Sequence, residues 1–590
     1  MFRKIALLSF IPALLLACNE VHESAQKSAR PSPKFERLPY NHPGLVVDLG
    51  VGLWASPLPV DYEGDGDLDL LVSCNDVPFH GIYFFENTSG TAFPVFEPPV
   101  RVGDPIKHIQ VSYVNGKPHF LRPGEELEDF MTARTEKVRP LFPGDTFSKL
   151  HNKIRFNQWK YVDYEGDGDL DIVVGIQDGE DYGWDNAFDD QGNWTNGPLH
   201  GFVYLIENVD GTYKLRDKIL AGGKPIDVYG APSPNFDDYD NDGDLDIICG
   251  EFLDRFTYFE NTGTRSKPKY APGKYLKNES GTLNMDLEMI LPVSLDWDKD
   301  GDIDLVVGDE DGRVAFVENT GKVQDGMPLF KNPAYFKQRA EHVKFGALVT
   351  PFSVDWEDDG DEDLICGNSA GYLAFIENLD GGDTPKWDAP KLLKSEGKVI
   401  RIQAGENGSI QGPCEAKWGY TTLSVADWDH DGLPDIILNS IWGKVVWFKN
   451  VGSPGKPKLG KERPIRVQWP EETPKPEWFW WNPETNTLAT QWRTTPTAID
   501  WNNDGLMDLV MLDQEGYLSY YERYSEKEEL FLKPGKRIFH SANGTYDRKN
   551  VLIDTRKGPI RLNERKYGSS GRRKLAFGDW DSDGDTDIVL

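Results

Sequence analysis

Asp61-Tyr62-Glu63-Gly64-Asp65-Gly66-Asp67-Leu68-Asp69 decides the fold, because the same nine-residue pattern begins again at Asp163, Asp238, Asp296, Asp355, Asp427, Asp500 and Asp579. Eight copies make a repeat, and their spacing sets a module of about 60 residues with variable insertions. Acidic side chains at the odd positions, with Gly at position 6 for the sharp turn, wrap oxygens around a hard cation. That is calcium chemistry; magnesium wants a tighter octahedron that keeps its waters, and zinc wants His or Cys. About eight structural calcium sites are therefore expected.

The candidate ligands follow loop by loop. In the first three they are Asp61, Glu63, Asp65, Asp67 and Asp69; Asp163, Glu165, Asp167, Asp169 and Asp171; and Asp238, Asp240, Asp242, Asp244 and Asp246. The next two offer Asp296, Asp298, Asp300, Asp302 and Asp304, then Asp355, Glu357, Asp359, Asp361 and Asp363. The last three offer Asp427, Asp429, Asp431, Leu433 and Asp435; Asp500, Asn502, Asp504, Leu506 and Asp508; and Asp579, Asp581, Asp583, Asp585 and Asp587. Asn502 and Leu506 make the Asp500 loop the weakest expected site.

An EF-hand would need Glu at position 12 and flanking helices, but Val72 stands there and β-type runs such as Leu70-Leu71-Val72 and Leu305-Val306-Val307 follow the loops. Position 2 is aromatic every time, from Tyr62 to Trp580, and is expected to pack between modules. A later strand ends in Glu-Asn at Glu86-Asn87, Glu207-Asn208, Glu260-Asn261, Glu318-Asn319 and Glu377-Asn378, with Lys449-Asn450 and Glu522-Arg523 as variants. A strand, an acidic loop, a second strand, a turn, a third strand and a variable fourth, repeated about an axis, make a β-propeller.

On these residues the chain resembles the FG-GAP/VCBS repeat family, the calcium-looped blades also seen in the integrin α-subunit propeller and in rhamnogalacturonan lyases. The resemblance covers roughly residues 45–590 and implies an all-β propeller of seven to nine four-stranded blades. Two departures bear on the count. His108 to Leu121 reads as a blade core whose acidic loop is replaced by an Asn115-Gly116 turn. The last blade reaches Leu590 without its Glu-Asn strand and is expected to be truncated, rather than completed by the run Leu45 to Leu49.

With 64 Lys plus Arg against 97 Asp plus Glu, the net charge of −33 repels polyanions, so no nucleic-acid partner is expected. A chain that is 38% hydrophobic and 12% aromatic can bury a large core, and five cysteines are too few for a disulfide scaffold. Met1-Phe2-Arg3-Lys4 precedes an apolar run ending in Ala17-Cys18, and residues 1–18 resemble a bacterial lipoprotein signal. The resemblance implies lipidation of Cys18, a flexible tether over residues 19–38 and a propeller body over 39–590. The expected location is the outer membrane, facing the periplasm or the cell surface, with the membrane engaged through the lipid anchor.

Residues entering each first strand, and those between strands two and three, are expected to share the face opposite the acidic loops. There Trp54, Trp159, Tyr229, Glu288, Glu415, Trp418, Gln491 and Trp492 form a candidate funnel, where rings stack on a sugar and polar groups meet its hydroxyls. The expected function is binding of a glycan or an extracellular protein ligand. Hydrolase, metalloprotease and nucleotide motifs are missing from the sequence. The enzymatic alternative is a polysaccharide lyase acting on a uronate-containing chain, with Arg493, Lys417, Tyr420, His200 and His80 as candidates for charge neutralisation and proton abstraction. A non-catalytic adhesion or scaffold role is the third reading.

Overall fold

Strand, acidic loop and strand alternate through the chain, and the strand after each loop is buried on both faces in most sheets, as in Asp69–Cys74, Asp171–Asp178 and Asp304–Gly308. The computed structural model describes residues 36–590, apart from 185–186, 406, 408, 527–528, 542–544, 547–551, 555–557 and 590. Cys18, the signal and most of the tether lie outside the described residues. The chain is all-β, with its described α-helices confined to Phe130–Ala133 and Thr146–Leu150.

The first sheet shows the plan. Ser56–Val60, Asp69–Cys74, Gly81–Phe85 and Val100–Gly103 pair antiparallel in that order, and the Asp61 loop joins the first two strands. The same order recurs in sheets that begin at Gln110, Asn157, Ser233, Leu291, Thr350 and Thr422. Two shorter sheets begin at Thr497 and Ala576. The Gln110 sheet has no acidic loop: Asn115 and Gly116, both at positive φ, turn Gln110–Val114 directly into Lys117–Arg122.

The aromatic at position 2 of the loops, from Tyr62 to Trp501, marks which sheet packs next. Tyr62 lies against Val111 and Phe120 of the second sheet, and Trp159 and Tyr161 of the third lie against Leu121. Tyr164 packs towards Ile247, and Tyr239 towards Leu305 and Val307. Trp297 of the fifth sheet then joins Leu70, Val72 and Phe85 of the first, and its Nε1 donates to the Ala92 carbonyl at 2.6 Å. The packing order of these five sheets returns to its start. Close backbone approach is built into it: a Cβ on Gly175, Gly250 or Gly308 would stand 2.2 Å from Pro232 O, 2.4 Å from Pro292 Cδ or 2.2 Å from Ala55 O.

A second row follows. Trp356 packs with Leu423 and Val425, Trp428 with Leu509 and Met511, and Trp501 with Ile588. Trp580, in the last sheet, is 51% exposed. Val46–Asp48 pairs antiparallel with Lys337–Arg339 and not with the last sheet, because Val47 buries itself against Tyr40 and Phe345 on the outer side of the Thr350 sheet.

Candidate metal loops and a buried polar seam

The loops owe their shape to their own carboxylates. Asp355 accepts the N–H groups of Asp359 and Gly360 at 3.1 Å each, Asp359 that of Asp361 at 3.3 Å, and Asp363 those of Trp356 at 3.1 Å and Asn378 at 2.9 Å. The scheme recurs, with a bond or two changed, in the other loops. It also explains the Glu-Asn signature. The N–H of that Asn caps the ninth-position carboxylate, as Asn87 does for Asp69 at 2.9 Å and Asn319 for Asp304 at 2.8 Å. The position-6 glycines, Gly66 to Gly584, all lie at φ between 87 and 98, where a Cβ would be strained.

Other carboxylate oxygens in these loops are buried and find no donor in the protein: Asp67 Oδ1, Glu165 Oε2, Asp169 Oδ1, Asp240 Oδ1, Asp244 Oδ1, Asp296 Oδ1, Asp361 Oδ1 and Asp429 Oδ1. A buried anionic oxygen left unpaired is costly unless a cation meets it, and a donor set made only of oxygens suits a hard one. Burial first, then neighbouring carboxylates, hold Glu63, Glu165 and Glu357 at a pKa of about 7 and Asp244 at about 6.

Four loops already gather three carboxylates within 4.8 Å of one another: Asp238, Asp240 and Asp242; Asp296, Asp298 and Asp300; Asp427, Asp429 and Asp435; and Asp579, Asp581 and Asp587. All four carry Asp at position 3, whereas the others carry Glu63, Glu165, Glu357 or Asn502. The longer Glu lies against other carboxylates, Glu63 against Asp69 and Glu165 against Asp171, the ninth residues of their own loops, and Glu165 and Glu357 also against Glu207 and Glu377 of the Glu-Asn signature.

On the opposite side of the first five sheets lies a seam. Cys414, from the segment leading into the Thr422 sheet, packs with Phe156, Tyr182, Phe252 and Met289. Lys417 bonds Asp254 at 2.5 Å and the Met285 carbonyl at 2.6 Å, while its N–H donates to Glu288 Oε1 at 2.9 Å. Trp54 Nε1 donates to Glu310 Oε1 at 2.9 Å, and the Arg155 guanidinium lies 4.4 Å from the Trp54 ring centre. Glu415 accepts from Gln411 and, at 3.3 Å, from the Tyr420 hydroxyl. Arg493 stacks on Tyr420 at 3.8 Å, Trp418 on Tyr420 at 5.1 Å and Trp492 on Tyr567 at 6.0 Å.

Burial dominates the electrostatics here. It pushes Glu310 up to about 8, with Glu415 adding repulsion and Arg155 opposing, and it raises Glu288 well above the carboxylate range. Glu251 Oε1, Glu288 Oε2 and Glu310 Oε2 on one side, and Trp418 Nε1, Trp492 Nε1 and the Tyr567 hydroxyl on the other, are buried without a partner in the protein.

Of the funnel residues, the structure brings Trp54, Tyr229, Glu288, Glu415, Trp418 and Trp492 to this seam, together with Lys417, Tyr420 and Arg493. Trp418 and Trp492 are 0% and 1% exposed, so neither presents an open ring face to solvent. Trp159 is elsewhere, in the core between the second and third sheets. Gln491 is tied to Glu564 O, Asn563 and the Gly571 N–H. His80 is exposed and bonds Asn75 O at 3.0 Å, whereas His200 sits between Asp227 at 2.7 Å and Asp181 at 3.2 Å, which raise its pKa against burial. The seam also contains Glu310, Arg155, Tyr182, Gln411 and Tyr567, which sequence reasoning missed. A signal existed for Glu310: Asp309-Glu310-Asp311 falls in the same turn after the second strand as Glu251 and Asp254. Nothing of that kind marked Arg155 or Tyr567.

No helix among the described residues is long and apolar enough to cross a membrane. Comparison with protein-family models and with curated proteins finds no match.

Proposed function

We propose that the chain is a calcium-stabilised extracytoplasmic protein of the FG-GAP/VCBS type, anchored to the outer membrane through Cys18, that binds a glycan or another extracellular ligand. In this reading the five sheets whose packing order closes on itself are the blades of one propeller, and the sheets from Thr350 onwards belong to a second, partial one. The observation that carries the proposal is the set of buried carboxylate oxygens without donors in the repeated loops. Calcium suits them better than magnesium because the five flexible oxygen donors offered by six of the eight loops exceed what a small octahedral ion needs from protein.

The ligand site in this reading is the side of the seam where Glu251, Glu288 and Glu310 keep buried oxygens without donors near Trp54, Arg155 and Lys417, a mixture of acceptors, cations and a ring that a polyhydroxylated molecule satisfies. One contact favours the lyase as a second reading: Tyr420 lies between Glu415 and Arg493, so a phenol and a guanidinium adjoin within one site. The test is a glycan array on the full chain in detergent with calcium and in chelator, followed by ultraviolet detection of unsaturated product from any polyuronate hit. Calcium-dependent binding is the expected result; a melt and a binding profile indifferent to chelator would sink the proposal.

A further inference from the structure

Two departures from the Glu-Asn signature, far apart in sequence, meet at one loop. Lys449 replaces the Glu at the end of its own third strand, and Arg523 replaces the Asn in the next module. Lys449 Nζ contacts Asp429 and, at 2.7 Å, Asp431 of the Asp427 loop. Arg523 reaches the same loop from the neighbouring sheet: its Nη2 donates to the Trp428 carbonyl at 3.0 Å, and its guanidinium lies 3.8 Å from the centre of the Trp428 ring. A third departure, Leu433 at position 7, removes a carboxylate from this loop.

Elsewhere the corresponding position is acidic, and at several of them a basic residue of the outer strand or its turn holds it: Arg216 holds Glu207, Lys331 holds Glu318, Lys391 holds Glu377, and Lys533 holds Glu522 at 2.5 Å. Among the described residues, the one other basic group on a loop carboxylate is Arg265, which meets Asp163 alone at 3.1 Å. The Asp427 loop nevertheless keeps the shape of a metal cage, with oxygens of Asp427, Asp429 and Asp435 within 4.8 Å of one another.

We propose that the Lys449 ammonium stands in for the divalent cation at the Asp427 loop, so that this loop is held by the protein's own cations while the others depend on metal. The inference rests on the calcium reading above. An ammonium bridging Asp429 and Asp431 supplies charge that offsets the repulsion among the loop's carboxylates. Asp429 Oδ1 remains without a donor, so the lysine satisfies the cage from one side only.

Counting ions separates the possibilities. Calcium bound per full chain is measured by equilibrium dialysis for the wild type, for Lys449→Glu, which restores the acidic pattern, and for Lys449→Met, which removes the charge while keeping the stem. Lys449→Glu and Lys449→Met should each hold one more ion per chain than the wild type. Terbium emission sensitised by Trp428 should rise in Lys449→Glu and fall back when Trp428→Phe is added. Equal ion counts in a calcium-loaded wild type and in both variants overturn the lysine proposal and leave the calcium reading standing. A wild type that binds no calcium overturns both.

Discussion

The acidic loops and the seam are both crowded with carboxylates, yet they solve the same electrostatic problem in opposite ways. In the loops the acids stand side by side, largely at the surface, and their inward oxygens lack donors. In the seam the acids are dispersed and individually held, Glu288 by a backbone N–H, Glu310 by an indole and Glu415 by an amide and a phenol. On the calcium reading the first arrangement draws an ion from outside; the second is largely neutralised from within, by burial-raised pKa values and by Arg155, Arg493 and Lys417. Identical side chains therefore predict different dependence on the medium.

The largest expected effect follows from the loops. A loop held at a hundredfold excess of calcium over its Kd gains about 2.7 kcal/mol, so stripping several loops at once should collapse the melting temperature. The loss should deepen at low ionic strength, where the −33 charge is least screened. The Asp500 loop, with Asn502 and Leu506, should release its ion before the loops with five carboxylates. Calorimetry in chelator at two salt concentrations checks this, and melts that coincide with those in calcium would erase the distinction between loop and seam.

Next in size is the seam. Trp418 and Trp492 are buried as core residues are, so Trp418→Ala or Trp492→Ala should each cost about 3–5 kcal/mol. Ligand affinity of the surviving folded protein should change little. A variant that keeps its melting temperature and loses a glycan would show that these rings face a binding cleft, and the seam would have to be redrawn as open.

These two regions were unequally legible in the sequence. Every loop ligand lies within nine residues of its partners, so Asp61 to Asp69 displays its chemistry in one glance, and the strand-ending Asn gains its meaning from a bond back to Asp69. Strand order within a sheet followed from the same short-range pattern. The seam is assembled by contacts across the chain: Trp54 meets Glu310, Glu288 meets Lys417, and Tyr182 meets Gln411. No local period announces such pairs. That is why Trp418 and Trp492 could be read as a sugar platform, although their aromatic character equally serves a packed interface. The row order was hidden for the same reason, since the return of the fifth sheet to the first depends on Trp297 reaching Ala92.

A smaller effect tests that return. A Cβ on Gly308 would lie 2.2 Å from Ala55 O and 2.8 Å from Pro57 Cδ, just before and at the start of the first strand. Gly308→Ala should therefore cost about 1–3 kcal/mol by overpacking. Gly578, in the last sheet, has open space around its Cβ position and no positive φ, so Gly578→Ala should be neutral within about 0.5 kcal/mol. Urea melts of the two variants sharpen the contrast between the row whose order closes and the row that ends on Trp580. Equal losses would mean that Gly308 marks no special junction.

The smallest effect is a pH slope confined to the seam. Glu310 has a folded pKa of about 8 against an ordinary value of 4.5, raised by burial and by Glu415 and Asp309 and opposed by Arg155 and the Trp54 indole. Between those values the folded chain holds a proton that the unfolded chain has released. Stability from this group is fully present below pH 4.5 and is lost as pH rises through about 8, at no more than about 1.4 kcal/mol per pH unit. Glu310→Gln keeps an acceptor for the indole, cannot ionise, and should remove that slope. Subtracting the variant's melts from the wild type's, both in saturating calcium between pH 6 and 8, cancels the loop carboxylates that the two proteins share. A difference that declines as pH rises is the expected outcome; a flat difference would mean that Glu310 is ionised in the folded chain and is neutralised there by Arg155.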